Sequence, residues 1–180
     1  KGALVSNLSS SRALADLAND CGVDYHASAV GEVHVVAKMK EVNAVIGGEG
    51  NGGVILPALH YGRDALVGIA LFLSHLAKEK ISVSALKARY ASYVMDKKKI
   101  ELSPSWDADA LLAAVAKTFA DARVTTIDGV KIDFVDSWIH LRKSNTEPII
   151  RLYGEAKTQE KMADKINTIE AAIAAFVAST

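Results

Sequence analysis

The sequence predicts an α/β domain with a small mixed or parallel sheet, followed by an α+β domain with an antiparallel sheet and two flanking helices. Three observations predict it. Strand-like and helix-like segments alternate over the first half of the chain, as in parallel sheets built through helical crossovers. A glycine-rich stretch, Gly47–Gly53, follows one of those strands. Beyond Asp96, strand-like segments run together between helices, and Asp128-Gly129 separates two of them, a strong hairpin signal. The domains are therefore expected at 1–95 and 96–180.

In chain order, Ala3 to Ser6 reads as a strand and Ser10 to Cys21 as a helix stopped by Gly22. Tyr25 to Val30 reads as a strand. Val35, Val36, Met39 and Val42 recur at helical spacing within Glu32–Val42. Ala44 to Ile46 is a third short strand leading into the glycines. Arg63 to Lys80 is apolar on almost every side, which predicts a buried helix. Ser82 or Ser84 can cap a helix reaching about Val94, and the segment from Tyr93 to Lys99 reads as the junction, with its lysines on a solvated edge or linker. Ile100–Leu102 is a strand. Asp107 can cap a helix carrying Leu111, Leu112, Val115 and Phe119. Strands are expected over Val124–Ile127, Val130–Val135, Trp138–Arg142 and Ile149–Tyr153. Thr158 caps a last helix with Met162, Ile166, Ile169, Ile173 and Phe176 on one face.

The 180 residues suffice for one ordinary domain or two small ones. Lys plus Arg and Asp plus Glu number 21 each, and no basic stripe stands out beyond Lys97–Lys99, so nucleic acid is not an expected partner. The apolar run from Ala65 to Leu73 falls short of the ~20 residues that span a bilayer, and no signal peptide is expected. Cys21 has no disulfide partner, which fits a reducing, cytoplasmic setting, and it reads as a small buried hydrophobe near a helix end. The chain starts at Lys1 without an initiator Met, which reads as a truncation. The five histidines show no metal-ligand spacing, Asp128, Asp133 and Asp136 read as a solvated edge, and no Gly-x-Ser-x-Gly elbow is present.

Two loops could carry chemistry. In Gly48–Gly53, glycine lets the backbone turn and approach a ligand closely. Glu49 offers acceptors and Asn51 a donor and an acceptor, the mix that sugar hydroxyls need. A carboxylate among glycines is expected to add little to a core, so Glu49 should matter more for substrate than for folding. A flexible turn with solvated side chains has the same pattern. In Arg142–Pro148, the Arg142 fork suits a phosphate, and Ser144, Asn145 and Thr146 add neutral donors. A plain polar hairpin would look alike.

The two loops together are more specific. Arg142-Lys-Ser-Asn-Thr-Glu-Pro-Ile-Ile-Arg151-Leu-Tyr-Gly-Glu155 resembles the phosphate-binding loop in the last domain of the α-D-phosphohexomutases, the phosphoglucomutase/phosphomannomutase/phosphoglucosamine mutase family. Gly48-Glu49-Gly50-Asn51-Gly52-Gly53 resembles the sugar-binding loop of that family's third domain, and Asn7-Leu-Ser-Ser-Ser-Arg12 resembles the segment after that domain's first strand. The likeness covers essentially the whole chain. It departs at Asn51 and Gly53, where many members have Ser and His, and near Ser9, where some relatives place a lysine proposed as a general acid/base.

The resemblance implies most of domain three and all of domain four of a four-domain enzyme that interconverts hexose 1-phosphate and hexose 6-phosphate. A phosphoserine and a hexose 1,6-bisphosphate intermediate would carry the phosphate. The serine and an Asp-Gly-Asp-x-Asp-Arg Mg²⁺ loop would lie in N-terminal domains of the same polypeptide, so no catalytic residue and no metal ligand is expected here. Glu49, Gly50 and Asn51 would hold the sugar of a phosphosugar substrate; Arg142, Ser144, Asn145 and Thr146 would hold its distal phosphate; Ser9, Arg12 and Arg151 would be secondary contacts. Glucose, mannose and glucosamine remain open as the hexose. Two other readings also remain: a stand-alone sugar-phosphate-binding module without catalysis, and an interaction module reusing the fold.

Overall fold

The computed structural model describes residues 1–144 and 146–179 and divides the chain into two units, Lys1–Ser92 and Tyr93–Thr180. The first unit runs β1 (Leu4–Asn7), α1 (Ala13–Cys21), β2 (Tyr25–Ser28), α2 (Glu32–Glu41), β3 (Ile46–Gly48), β4 (Val54–Ile55), α3 (Ala65–Glu79) and α4 (Val83–Lys87). Its sheet has the order β2-β1-β3-β4, with β1 parallel to β2 and β3, and β4 antiparallel to β3. The expected mixed sheet is therefore present. In this order the connections reverse direction across β1, so the crevice beyond the carboxyl ends of β1 and β3 is the place where open α/β sheets bind ligands.

Several boundaries differ from the sequence reading, each for a local reason. Helix α1 starts at Ala13 rather than Ser10, because the Asn7 side-chain carbonyl accepts from Ser9 N and Ser10 Oγ, both at 3.0 Å, and holds that stretch as a turn. Strand β3 starts at Ile46 rather than Ala44. Asn43 takes a left-handed φ of 51° and Ala44 N bonds back to Met39 O, which closes the end of α2 first. Strand β4 has no counterpart in the sequence reading; it turns the glycine stretch into the loop of a hairpin. Cys21 is exposed, since α1 buries only Ala18.

The largest correction concerns α3. It is apolar all round as its sequence requires, yet none of its residues is buried, and Leu66 is 78% exposed. The helix runs beside the two-residue strand β4, and its Gly68 side comes close to it, where an added Cβ would lie 3.2 Å from Val54 Cγ2. The core of this unit is small: Val5, Val35, Met39, Ala44 and Ile55.

The second unit runs β5 (Val94–Glu101), α5 (Ala108–Thr118), β6 (Arg123–Thr125), β7 (Val130–Asp133), β8 (Ser137–Lys143), β9 (Ile149–Ala156) and α6 (Gln159–Ala178). The sheet is antiparallel throughout, in the order β5-β9-β8-β7-β6. The stretch Val94–Lys99, expected as junction, is strand β5, paired with β9 from Val94↔Ala156 to Glu101↔Ile149. Its lysines alternate as a strand requires: Lys98 reaches Glu170 on α6 (2.9 Å), while Lys97 lies over the Tyr153 ring. The short helix α4 ends at Lys87, well before Val94, because Val94 belongs to that strand.

Alternation in β8 and β9 sends Ile139, Leu141, Ile150 and Leu152 against Leu111 and Val115 of α5 and Met162, Ile166, Ile169 and Ile173 of α6, forming the main core. Gly154 lets α6 pack closely on β9, since a Cβ there would displace the ends of the Met162 and Ile139 side chains. Both helices carry the predicted caps. Asp107 accepts from Asp109 N and Ala110 N, and Thr158 accepts from Lys161 N. Among the described residues, no helix is long and apolar enough to cross a membrane.

Candidate functional site

The carboxyl ends of β1, β2 and β3 bring Asn7, Gly31 and Glu49 together, although each is far from the others in sequence. Glu49 Oε1 accepts from Asn7 Nδ2 at 2.9 Å and from Gly31 N at 3.1 Å, and Glu49 Oε2 lies 3.8 Å from Arg63 Nη1. The Glu49 side chain is 7% exposed. The expectation that this carboxylate adds little to the fold is thus corrected: it ties the ends of all three parallel strands, because burial obliges a carboxylate to collect donors. Arg63 is also gripped by Glu32, through Nε to Oε2 (2.8 Å) and N to Oε1 (2.9 Å). The Arg63 backbone N–H and guanidinium hold the Glu32 carboxyl below its ordinary range.

The glycine loop is ordered by its own backbone. Glu49 N bonds Gly53 O at 3.1 Å, and Gly52, at φ 92°, returns its N–H to Glu49 O. Gly50 presses on the Asn7–Ser10 turn: a Cβ there would meet Ser9 O and Ser10 Cα at 3.3 Å. Asn51 uses its side-chain oxygen inside the loop, on Gly53 N (3.0 Å), and is exposed. Ser9 therefore lies against Gly50, while Arg12 precedes α1 by one residue. Beside the loop, Glu32, Asn51, Gly52, Gly53, Arg63 and Asp64 line an open cleft of about 550 Å³. Arg63 and Glu32 were missed by sequence reasoning; they stand 31 positions apart and no local pattern joins them.

The second loop connects β8 and β9 and begins with Ser144 N bonded to Ile149 O at 2.9 Å. Ser144 Oγ lies 3.5 Å from Thr146 Oγ1 and accepts weakly from Thr146 N at 3.4 Å. Asn145 lies outside the described residues. Arg142 and Arg151 are direct cross-strand partners at the base of the loop. Like charges placed so repel, and each has an acidic neighbour. Arg142 Nε is 2.8 Å from Asp128 Oδ2, off the N–H axis and so an ion pair rather than an aligned hydrogen bond; Arg151 Nη2 is 3.5 Å from Glu147 Oε2. Among the described residues, the buried Arg151 Nε has no hydrogen-bond partner. Lys143 turns to the other face and pairs with Asp109 on α5 (2.9 Å).

His140, two residues before Arg142, is fully buried, and burial pushes its pKa down to about 4. Its Nε2 lies 2.6 Å from the Asp128 carbonyl oxygen. A carbonyl only accepts, so Nε2 carries the hydrogen. Among the described residues, no three His, Cys, Asp or Glu side chains gather as a metal site would need.

Comparison with known proteins agrees with this architecture. The family description phosphoglucomutase/phosphomannomutase, alpha/beta/alpha domain III, matches residues 1–93, and the C-terminal domain of the same family matches residues 91–172. A phosphoglucosamine/phosphogalactosamine mutase of Sulfurisphaera tokodaii is 33% identical over 169 residues, which are 93% of this chain and 37% of that protein. A phosphoglucomutase/phosphomannomutase of Thermococcus kodakarensis is 37% identical over 162 residues, 89% of this chain and 35% of that protein. A crystal structure of a phosphoglucomutase/phosphomannomutase family protein from Burkholderia thailandensis superimposes with a TM-score of 0.80 at 28% identity, covering 96% of this chain and 37% of that one. The chain thus spans little more than a third of the length of these relatives. It belongs to the phosphoglucomutase/phosphomannomutase family and comprises that family's domain III and C-terminal domain.

Proposed function

We propose that this chain is the substrate-holding part of a phosphohexomutase that interconverts hexose 1-phosphate and hexose 6-phosphate through a phosphoserine and a hexose 1,6-bisphosphate. The observation that carries the reading is the opposed pair Arg142 and Arg151 at the base of a hydroxyl-bearing loop. Two guanidiniums across one strand pair concentrate positive charge that Asp128 and Glu147 offset only in part, and among the described residues the buried Arg151 Nε–H has no acceptor. A phosphate meets both needs, and a guanidinium can offer it two parallel N–H bonds. Ser144, Asn145 and Thr146 would complete the phosphate contacts. Glu49, Gly50 and Asn51 would face the sugar, with Ser9 and Arg12 behind them. Asn51 keeps its amide N–H groups for hydroxyls, since its oxygen is engaged by Gly53.

The division of labour has a chemical rationale. A sugar that must react first at one end and then at the other needs a site for whichever phosphate is not reacting, and binding energy taken there orients the reacting end. Mg²⁺ would sharpen the electrophilicity of the transferred phosphoryl group; the carboxylates of this chain do not group into a site for it among the described residues, and the ion would be held elsewhere in the polypeptide, together with the serine. The enzyme would be cytoplasmic. The 180-residue chain alone should show no mutase activity with Mg²⁺ and a hexose bisphosphate primer.

The test is calorimetric titration of glucose 1-phosphate into the intact polypeptide and its Arg142→Lys variant. Lysine keeps the charge but loses the fork, so affinity should fall about tenfold, the scale of a charged hydrogen bond. Unchanged affinity and turnover would reduce this loop to a hairpin. Turnover by the 180-residue chain after repurification would refute the division of labour.

A further inference from the structure

Resting on the phosphate reading above, we propose that Asp128 is a positioning residue: its carboxylate holds Arg142 by the Nε side and so presents the two Nη groups to the phosphate. The assembly that does this is specific. Asp128 and Gly129 form the turn between β6 and β7, the strand next to β8. Gly129 takes φ 68°, and any Cβ there would overlap Leu141 O and lie 3.1 Å from Arg142 Cα. The turn is therefore seated against the backbone of Arg142 itself. From there the Asp128 carboxylate oxygen stands 2.8 Å from Arg142 Nε.

The seat is fixed from below. His140 Nε2–H donates to the Asp128 carbonyl at 2.6 Å, from a fully buried ring on the same strand as Arg142. One turn residue is thus held by its main chain through His140 and holds Arg142 with its side chain. Both members of the Asp128–Arg142 pair are mostly covered, with 19% and 22% of their side chains exposed. Water screens such a pair less than a surface pair, and the guanidinium loses much of its rotameric freedom. No hydrogen bond to the Arg142 Nη groups is made among the described residues. The orientation that remains offers the fork, already placed, to an incoming anion.

Charge alone predicts the opposite behaviour. A carboxylate beside an anion site repels the anion, so its neutralisation should tighten phosphate binding. A positioning role predicts weaker binding. The sign of the effect separates the two.

The experiment is a titration of inorganic phosphate into the 180-residue chain at low salt, read from the amide signals of Ser144 and Thr146. Asp128→Asn is expected to weaken phosphate binding about threefold to tenfold, the scale of losing one partly screened ion pair, with the melting temperature held. Asp128→Glu, which restores the carboxylate, should recover most of the affinity and also controls for any fault in folding of the Asn variant. Unchanged or tighter binding by Asp128→Asn, or no recovery by Asp128→Glu, overturns the positioning role. Arg142→Ala tells the two readings apart. If it abolishes the response while Asp128→Asn does not weaken it, the phosphate reading stands and the positioning role falls. If Arg142→Ala leaves the response unchanged, or the unmodified chain gives none, the phosphate reading falls and this proposal with it.

Discussion

The two units hold their candidate sites in opposite ways. In the first, Glu49 is a strut: it joins the ends of three strands that share only a five-residue core, so site and fold use the same bonds. In the second, Ser144 and Thr146 to Pro148 lie outside a large core to which they add little, so site and fold are separable. A small core recruits polar site groups as structure, whereas a large one can leave them for ligand.

Four changes probe that contrast, from the largest effect to the smallest. Leu152→Ala in the centre of the second core should cost about 2–5 kcal/mol, the usual range for a fully buried leucine. Urea unfolding followed by tryptophan fluorescence reads this unit directly, because both tryptophans, Trp106 and Trp138, lie in it. A loss below about 1 kcal/mol would mean that the larger core is loosely packed.

The buried His140 makes the second unit sensitive to acid. Its folded pKa of about 4 lies below the ordinary value of 6.5. The unfolded chain therefore takes up the proton first, and stability is complete above pH 6.5 and falls as the pH drops toward 4. The full loss is roughly 3 kcal/mol, since each tenfold change in proton affinity between the folded and unfolded chain is worth about 1.4 kcal/mol. His140→Gln should flatten that slope in urea titrations at several pH values; an unchanged slope would assign it to other groups.

Glu49→Ala should destabilise the first unit by about 1.5–3 kcal/mol, the scale of hydrogen bonds to a charged group left unmade. Circular dichroism melting would detect it. A stable Glu49→Ala variant would break the comparison, because Glu49 would then be as dispensable to the fold as the second loop. The smallest effect is expected at Leu66→Ala on α3, within about 0.5 kcal/mol, since that side chain is 78% exposed in this chain. A larger loss would show that α3 is covered in solution.

Much of this was legible in the sequence because it is local. The caps Asp107 and Thr158, the α6 face of Met162, Ile166, Ile169 and Ile173, and the Asp128-Gly129 hairpin each depend on residues within a few positions. Both candidate loops stood out by composition. The partners of those loops did not. Asn7 reaches Glu49 across 42 positions and Arg63 reaches Glu32 across 31, and only the sheet order brings them together. Asp128 has the local pattern of a solvated edge residue, yet the register of β7 against β8 brings it to Arg142.

The sequence by itself determined most of the helices and the central strands, which of their faces want burial, and where glycine permits a tight turn, because those follow from period, capping and backbone sterics. Tertiary structure alone decided what those faces meet. It left the apolar α3 exposed, drew the lysines of Val94–Lys99 into a paired strand, and made Glu49 a buried strut. The reason is physical: hydrophobic pattern states a demand for cover, while strand order and register determine which atoms supply it.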